Sequence, residues 1–290
     1  PNIKERRDCS VAIFDTFGNM VALSAIAPMH LSSLLGMVRN ITERHPLESL
    51  KPGDTFLTND PYVGGGSHLP DLTLMNPVFF EGQVVAFVAN LAHHSDIGGK
   101  VAGSESADCT SIFQEGLRVP PVKLLDEGNL VQDVLDIVLL NSRTPHQREG
   151  DLKAQIATNA TGVRRVQETF ENFGTKTVQS ALLALLDYAE ARARAEISKL
   201  PDGSYQNEDF LDNDGVEDKL ISLKVTVTIA GDEIHFDFTG SADQIAGARN
   251  MPLIATQAGV YYVVKAITDP TLPPNSGYFR AIKVTAAEGS

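Results

Sequence analysis

Asp71-Leu72-Thr73-Leu74-Met75-Asn76-Pro77-Val78-Phe79-Phe80-Glu81-Gly82-Gln83-Val84-Val85-Ala86-Phe87-Val88-Ala89-Asn90-Leu91-Ala92-His93 is the stretch whose pairing decides the fold. Residues 72–80 and 83–92 are two apolar runs of strand length. Glu81-Gly82 between them has the length and chemistry of a tight turn, so the spacing predicts an antiparallel hairpin. Pro77 weighs somewhat against this, because proline removes a ladder donor and suits an edge or a bulge. With Glu81 and Gly82 as the two turn residues, Asp71 faces Ala92 and Pro70 faces His93. Directly opposed residues lie about 4.5–5.5 Å apart. The hairpin therefore brings Asp71 and His93 together at its open end, with His68 three residues further out.

Two imidazoles and a carboxylate at one point make a ligand set for a divalent metal with an open position. The donor chemistry suits zinc, manganese or iron. Such an ion polarises a carbonyl or lowers the pKa of a bound water. Gly64, Gly65 and Gly66 would let backbone approach closely beside it. The alternative is that these are surface histidines in polar turns, the usual reading of a lone His-x-x-Asp. The hairpin geometry favours the metal.

Working outward, residues 9–25 alternate around Asp15–Asn19 and predict a second hairpin. Leu31, Leu34, Leu35, Val38 and Ile41 fall at helical spacing over 30–44. The region 101–150 is loop-rich, with one helix expected over 129–140. Two long amphipathic helices follow, one ending near Gly174 and one before Pro201. From Ile221 to Ile229 the period changes to two, Gly231-Asp232 turns the chain, and Ile234, Phe236 and Phe238 alternate with polar residues. A helix over 255–267 and a strand-like run over 279–284 close the chain. Strands and helices are grouped rather than alternating, which predicts an α+β fold of antiparallel hairpins and mixed sheets with several long amphipathic helices. The expected organisation is a metal-site region over 1–143, a helical segment over 144–200 and an antiparallel sheet region with a helix over 201–290. The ends read as those of a piece of a longer polypeptide; a trimmed complete domain is the alternative.

With 42% apolar and 21% charged residues over 290, the composition is that of a globular chain with a real core. No apolar run reaches the ~20 residues of a membrane helix. A net charge of -13 repels phosphate backbones and argues against nucleic acid as a partner. Cys9 and Cys109 suggest neither a disulfide framework nor a metal knuckle, which points to a reducing cytoplasm and inert thiols. Gly98-Gly99-Lys100 lacks the rest of a phosphate loop. Asp212-Asn213-Asp214-Gly215 lacks the flanking carboxylates of a calcium loop and reads as a turn. His235 falls on the polar face of its strand.

The motifs Glu5-Arg6-Arg7-Asp8, Asn59-Asp60-Pro61-Tyr62, His68-Leu69-Pro70-Asp71, His93-His94-Ser95-Asp96, Glu115-Gly116-Leu117, Asn141-Ser142-Arg143, Gly150-Asp151-Leu152, Leu200-Pro201-Asp202-Gly203 and Phe238-Thr239-Gly240-Ser241 occur in this order. Together they resemble the hydantoinase B/5-oxoprolinase family, at the N-terminal half of its B-type subunit, over essentially the whole chain. The resemblance implies an ATP-dependent hydrolase of cyclic amides such as hydantoins, 5-oxoproline or other lactams. It implies ATP bound by a partner A-type subunit, hence a hetero-oligomer, and a metal on the B-type part. The matching ligands are His68, Asp71 and His93, with Asp8 from the N-terminal segment, where Glu5 is a close neighbour. Zinc goes with lactam hydrolysis and manganese with acetone carboxylation. His94 or Asp96 is expected to orient a ligand or carry a proton. Two other functions are a subunit of an ATP-dependent acetone or acetophenone carboxylase and a structural metal-binding interaction module.

Overall fold

The structure, a computed structural model, describes residues 2–63 and 65–290. After one helical turn, α1 (Asn2–Glu5), come β1 (Cys9–Phe14) and β2 (Met20–Ala25). Their expected turn is closed by the Asp15 carboxylate, which accepts from the backbone N–H of Phe17 at 2.9 Å and of Asn19 at 2.8 Å. The helix expected over 30–44 is cut short. A 3-10 turn occupies Pro28–Leu31, and α2 (Met37–Arg44) begins only after Gly36, whose φ of +80° no helix accepts.

The strands β3 (Thr55–Thr58), β4 (Asp71–Phe80), β5 (Gln83–His93), β6 (Val122–Asp126) and β7 (Asn129–Leu130) complete a seven-stranded sheet. Its order is β2-β1-β5-β4-β3-β6-β7 and every pairing is antiparallel. Glu81 and Gly82 both have positive φ, +50° and +76°, as the tightest hairpin turn demands. Pro77 is tolerated because β3 pairs only with Thr73–Met75, so β4 has no partner beside the proline on that side.

The hairpin register differs from the simple expectation. Phe79 pairs with Val84, but Val78 pairs with Ala86, leaving Val85 as an extra residue. From there on every pair is shifted by one, and Asp71 stands opposite His93 rather than Ala92. This matters because side chains alternate between sheet faces. Without the bulge His93 would point to the opposite face from Asp71; with it the two share one face.

Three helices follow: α3 (Gln132–Leu140), α4 (Pro145–Phe173) and α5 (Thr175–Ile197). The residues 129–130 are strand, so α3 is shorter than expected. The second sheet contains β8 (Gly203–Leu211), β9 (Ile221–Ala230) and β10 (Glu233–Asp237). After α6 (Leu253–Ile267) and the short α7 (Ser276–Phe279), β11 (Ile282–Thr285) joins it parallel to β10, giving the order β11-β10-β9-β8. The edge strand β8 escaped the sequence reading because nearly all of it is exposed, so it carries no apolar alternation. The fold is α+β, as expected.

One face of the large sheet is covered by α4. Leu152 packs with Leu72, Leu74 and Leu57, and Val166 and Phe170 pack with Val78, Val85 and Val88. The other face carries Phe14, Met75, Phe87 and Leu91 into a core shared with α2, α5, α6 and the second sheet's Ile234 and Phe236. Among the described residues no helix is long and apolar enough to cross a membrane.

Candidate metal centre

The α4 side of the β4–β5 hairpin is held by amides. Gln155 donates through Nε2 to the Leu72 carbonyl at 2.9 Å and to Asn90 Oδ1 at 2.8 Å. Asn159 donates to Asn76 Oδ1 at 2.9 Å and accepts from Asn90 at 2.8 Å. Buried amides with every bond made fix a position more sharply than apolar contact does. The open end is closed by the His94 N–H, which donates to the Pro70 carbonyl at 2.8 Å.

On the opposite face the hairpin presents Asp71 and His93, and the preceding turn adds His68. Asp71 Oδ1 lies 3.1 Å from His68 Nε2 and 3.5 Å from His93 Nδ1, and the two nitrogens are 3.1 Å apart. Asp71 Oδ2 is occupied separately, accepting from the Ser67 N–H at 3.2 Å and hydroxyl at 3.1 Å. One carboxylate oxygen thus serves the imidazoles while the other fixes the orientation. The glycines behave as expected: a Cβ on Gly66 would lie 2.4 Å from Asp71 Cβ, and one on Gly65 would lie 2.4 Å from Asp60 N. Gly64 lies outside the described residues.

The electrostatics follow from this packing. Burial alone would raise the Asp71 carboxyl, but hydrogen bonds from His68 and His93 hold it far below the usual carboxylate range. Burial acts to lower His68, yet the bond to Asp71 and its charge, with Glu105 and Glu115 behind, raise it above an ordinary histidine. These three side chains offer ligand atoms that all lie within 4.8 Å of one another. A tetrahedral ion with ligands at 2.0–2.1 Å separates its donors by about 3.3 Å. The observed 3.1, 3.1 and 3.5 Å edges fit one face of such a tetrahedron.

The other sequence candidates divide. Asp8 continues the β1 register to stand beside His93, and its carbonyl accepts the His93 N–H at 3.0 Å. Its carboxylate is directed to His30, 3.5 Å from Nε2, and is not among the three mutually close ligands. His94 points to the α4 side: it is fully buried, its Nε2 lies 2.9 Å from Gln155 Oε1, and burial lowers its pKa to about 3. Both Asp96 oxygens are taken in organising a loop, accepting from the N–H groups of Gly98, Gly103 and Arg143 at 3.0 Å each and from Arg143 Nη1 at 3.1 Å. Neither His94 nor Asp96 therefore has a free group at the cluster: alternation sends one to the other face and backbone donors consume the other.

The sequence reading missed His30, Ser67 and Glu105. His30 is buried, with Nδ1 2.7 Å from Ser10 Oγ, and its pKa is lowered by burial against the charges of Asp71 and Asp8. A single histidine at helical spacing carried no signal for this. Elsewhere Lys100 pairs with Asp108 at 2.6 Å, and Asp214 caps a turn through the N–H groups of Val216 and Glu217. His235 is half-buried with Nε2 2.8 Å from Thr285 Oγ1, rather than simply solvated. Cys109 is buried and Cys9 half-buried; neither is in a disulfide.

The family model for hydantoinase B/oxoprolinase matches residues 1–290. The caprolactamase subunit beta of Pseudomonas jessenii is 32% identical over 278 residues, covering 96% of this chain and 47% of that one. A crystal structure of the ATP-dependent caprolactamase from that organism superposes with a TM-score of 0.91 at 31% identity, covering 98% of this chain and 48% of that one. The 5-oxoprolinase 1 of Arabidopsis thaliana is 32% identical over 315 residues, covering the whole of this chain and 24% of that protein. A nucleotide-free acetone carboxylase structure shares the fold, with a TM-score of 0.88 at 19% identity over 97% of this chain and 39% of that one. This chain spans about half the length of the caprolactamase subunit.

Proposed function

The chain belongs to the hydantoinase B/oxoprolinase family, and from that premise we propose that it is the metal-bearing B-type part of an ATP-dependent cyclic amide hydrolase. The observation that carries the reading is the convergence of His68 Nε2, His93 Nδ1 and Asp71 Oδ1 at spacings suited to one divalent ion. Zinc is the first choice for this donor set and manganese the second. An ion bound there would supply Lewis acidity toward a carbonyl and would lower the pKa of a bound water.

The chain's own residues do the rest. Asp71 offsets the ion's charge from a buried position and is kept in one orientation by Ser67. His68 is the most exposed ligand, so the substrate amide approaches from its side. Asp8, next to His93, borders the ligand set, with its carboxylate turned to His30. An unstrained lactam is a poor electrophile; ATP held by an A-type partner in a hetero-oligomer would activate it by transferring its γ-phosphoryl group to the amide oxygen, with ADP as the leaving group. A cytoplasmic setting, where both thiols stay reduced, suits this reading.

The test is reconstitution of the full-length polypeptide with its A-type partner. ATP turnover is measured with 5-oxoproline, hydantoins, a larger lactam and acetone, with and without bicarbonate. Amide-dependent ATP hydrolysis with ring opening, lost in His68→Ala and His93→Ala, is expected. Full activity in either variant would sink the site assignment, and turnover only with acetone and bicarbonate would transfer the enzyme to the carboxylases.

A further inference from the structure

Each imidazole of the cluster uses one nitrogen toward Asp71 and keeps another at the far end of its ring. His68 turns Nε2 inward and leaves Nδ1; His93 turns Nδ1 inward and leaves Nε2. A metal-bound imidazole must carry its proton on the remaining nitrogen, and that N–H wants an acceptor which fixes the tautomer and the ring plane. The Glu105 carboxylate faces both. Its Oε1 lies 3.9 Å from His68 Nδ1 and 3.8 Å from His93 Nε2, although the ring centroids are themselves 4.9 Å apart. One oxygen thus stands between the two outward nitrogens.

The side chain of Glu105 is exposed, but the backbone that delivers it is not free. Ser104, immediately before it, is buried with φ at +59°. The Ser104 hydroxyl donates to the Gly98 carbonyl at 2.8 Å and accepts from the Ile97 N–H at 2.8 Å. The Gly103 N–H is held by Asp96, which Arg143 also engages. The loop over 96–104 is therefore tied at several points.

We propose that Glu105 is a positioning residue for the metal centre, its carboxylate serving as the shared acceptor for the outward N–H groups of His68 and His93. This rests on the metal reading of His68, Asp71 and His93. The 3.8–3.9 Å separations are slightly longer than a hydrogen bond, and a small rotation of an exposed glutamate closes them. Glu105 fixes both ligating nitrogens at once by holding the opposite end of each ring, and it adds a negative charge close to the ion. Its loss loosens the two rings together.

The experiment is chelator-competition titration of zinc on the complete polypeptide, with the metal-free melting temperature of each variant measured alongside. Glu105→Ala is expected to weaken zinc binding about 10- to 100-fold. Glu105→Gln, which keeps an acceptor oxygen without the charge, is expected to fall between Ala and wild type. The exposed position predicts unchanged metal-free melting in both, which a merely structural residue would not combine with lost affinity. Wild-type affinity in Glu105→Ala, while His68→Ala loses zinc, would overturn the positioning role and leave the metal site standing. Failure of the wild type to bind zinc or manganese would overturn both.

Discussion

Gln155→Ala removes the clamp behind the site. Gln155 touches both strands next to the candidate ligands: its Nε2 reaches the Leu72 carbonyl, one residue from Asp71, and its Oε1 meets His94, one residue from His93. A third bond goes to Asn90 Oδ1. All of these groups are buried, so no water replaces the lost partners. Each net hydrogen bond contributes about 1 kcal/mol, and stranding buried polar groups adds to that, for roughly 3–5 kcal/mol in total. His94 fares worst, because its Nδ1 already has no hydrogen-bond partner among the described residues. Urea unfolding of the metal-free protein at pH 7 reads the loss directly. Thr158→Ala on the exposed side of the same helix is the control and should cost under about 0.5 kcal/mol. A Gln155→Ala cost below 1 kcal/mol, matching the control, would refute the clamp.

Two further outcomes follow from the same geometry. Gly66→Ala places a Cβ against Asp71 and forces a side chain into φ +93°, so zinc affinity should fall at least tenfold by chelator competition; an unchanged affinity would show that Asp71 does not depend on this approach. His94 is held neutral, its pKa lowered from 6.5 to about 3 by burial. Its contribution to stability is complete above pH 6.5 and declines as pH falls toward 3, because the unfolded chain takes up the proton first. Between pH 7 and pH 5 this amounts to about 2 kcal/mol. The free energies of urea unfolding at the two pH values should converge in His94→Gln by that amount, and an identical pH dependence in both proteins would refute it.

Much of the site was legible because it lies within one hairpin and the turn before it. Glu81-Gly82 fixed where the strands reverse, and the composition of 72–92 fixed that they pair. The register was not legible. The bulge at Val85 sits between Val84 and Ala86 in an unbroken apolar run, where a slip leaves the apolar pattern unchanged because both faces of the strand are buried. That extra residue is what puts Asp71 and His93 on one face. The face of His94 follows the same alternation: next to His93 in sequence, it points to the opposite side of the sheet, toward Gln155. His30 and Glu105 belong to other elements, a 3-10 turn and a loop, and only tertiary folding brings them near; Ser67 sits beside His68 in the same turn, where a serine carries no signal of its own. The strand β8 hid because an edge exposed on both faces has no hydrophobic period.

The most direct measurement is an anomalous difference map from crystals of the protein grown with zinc, recorded on both sides of the zinc absorption edge. A single strong peak bonded to His68 Nε2, His93 Nδ1 and Asp71 Oδ1, at about 2.0–2.2 Å from each, is expected. An empty map at these three residues, with zinc found only elsewhere on the acidic surface, would contradict the metal centre.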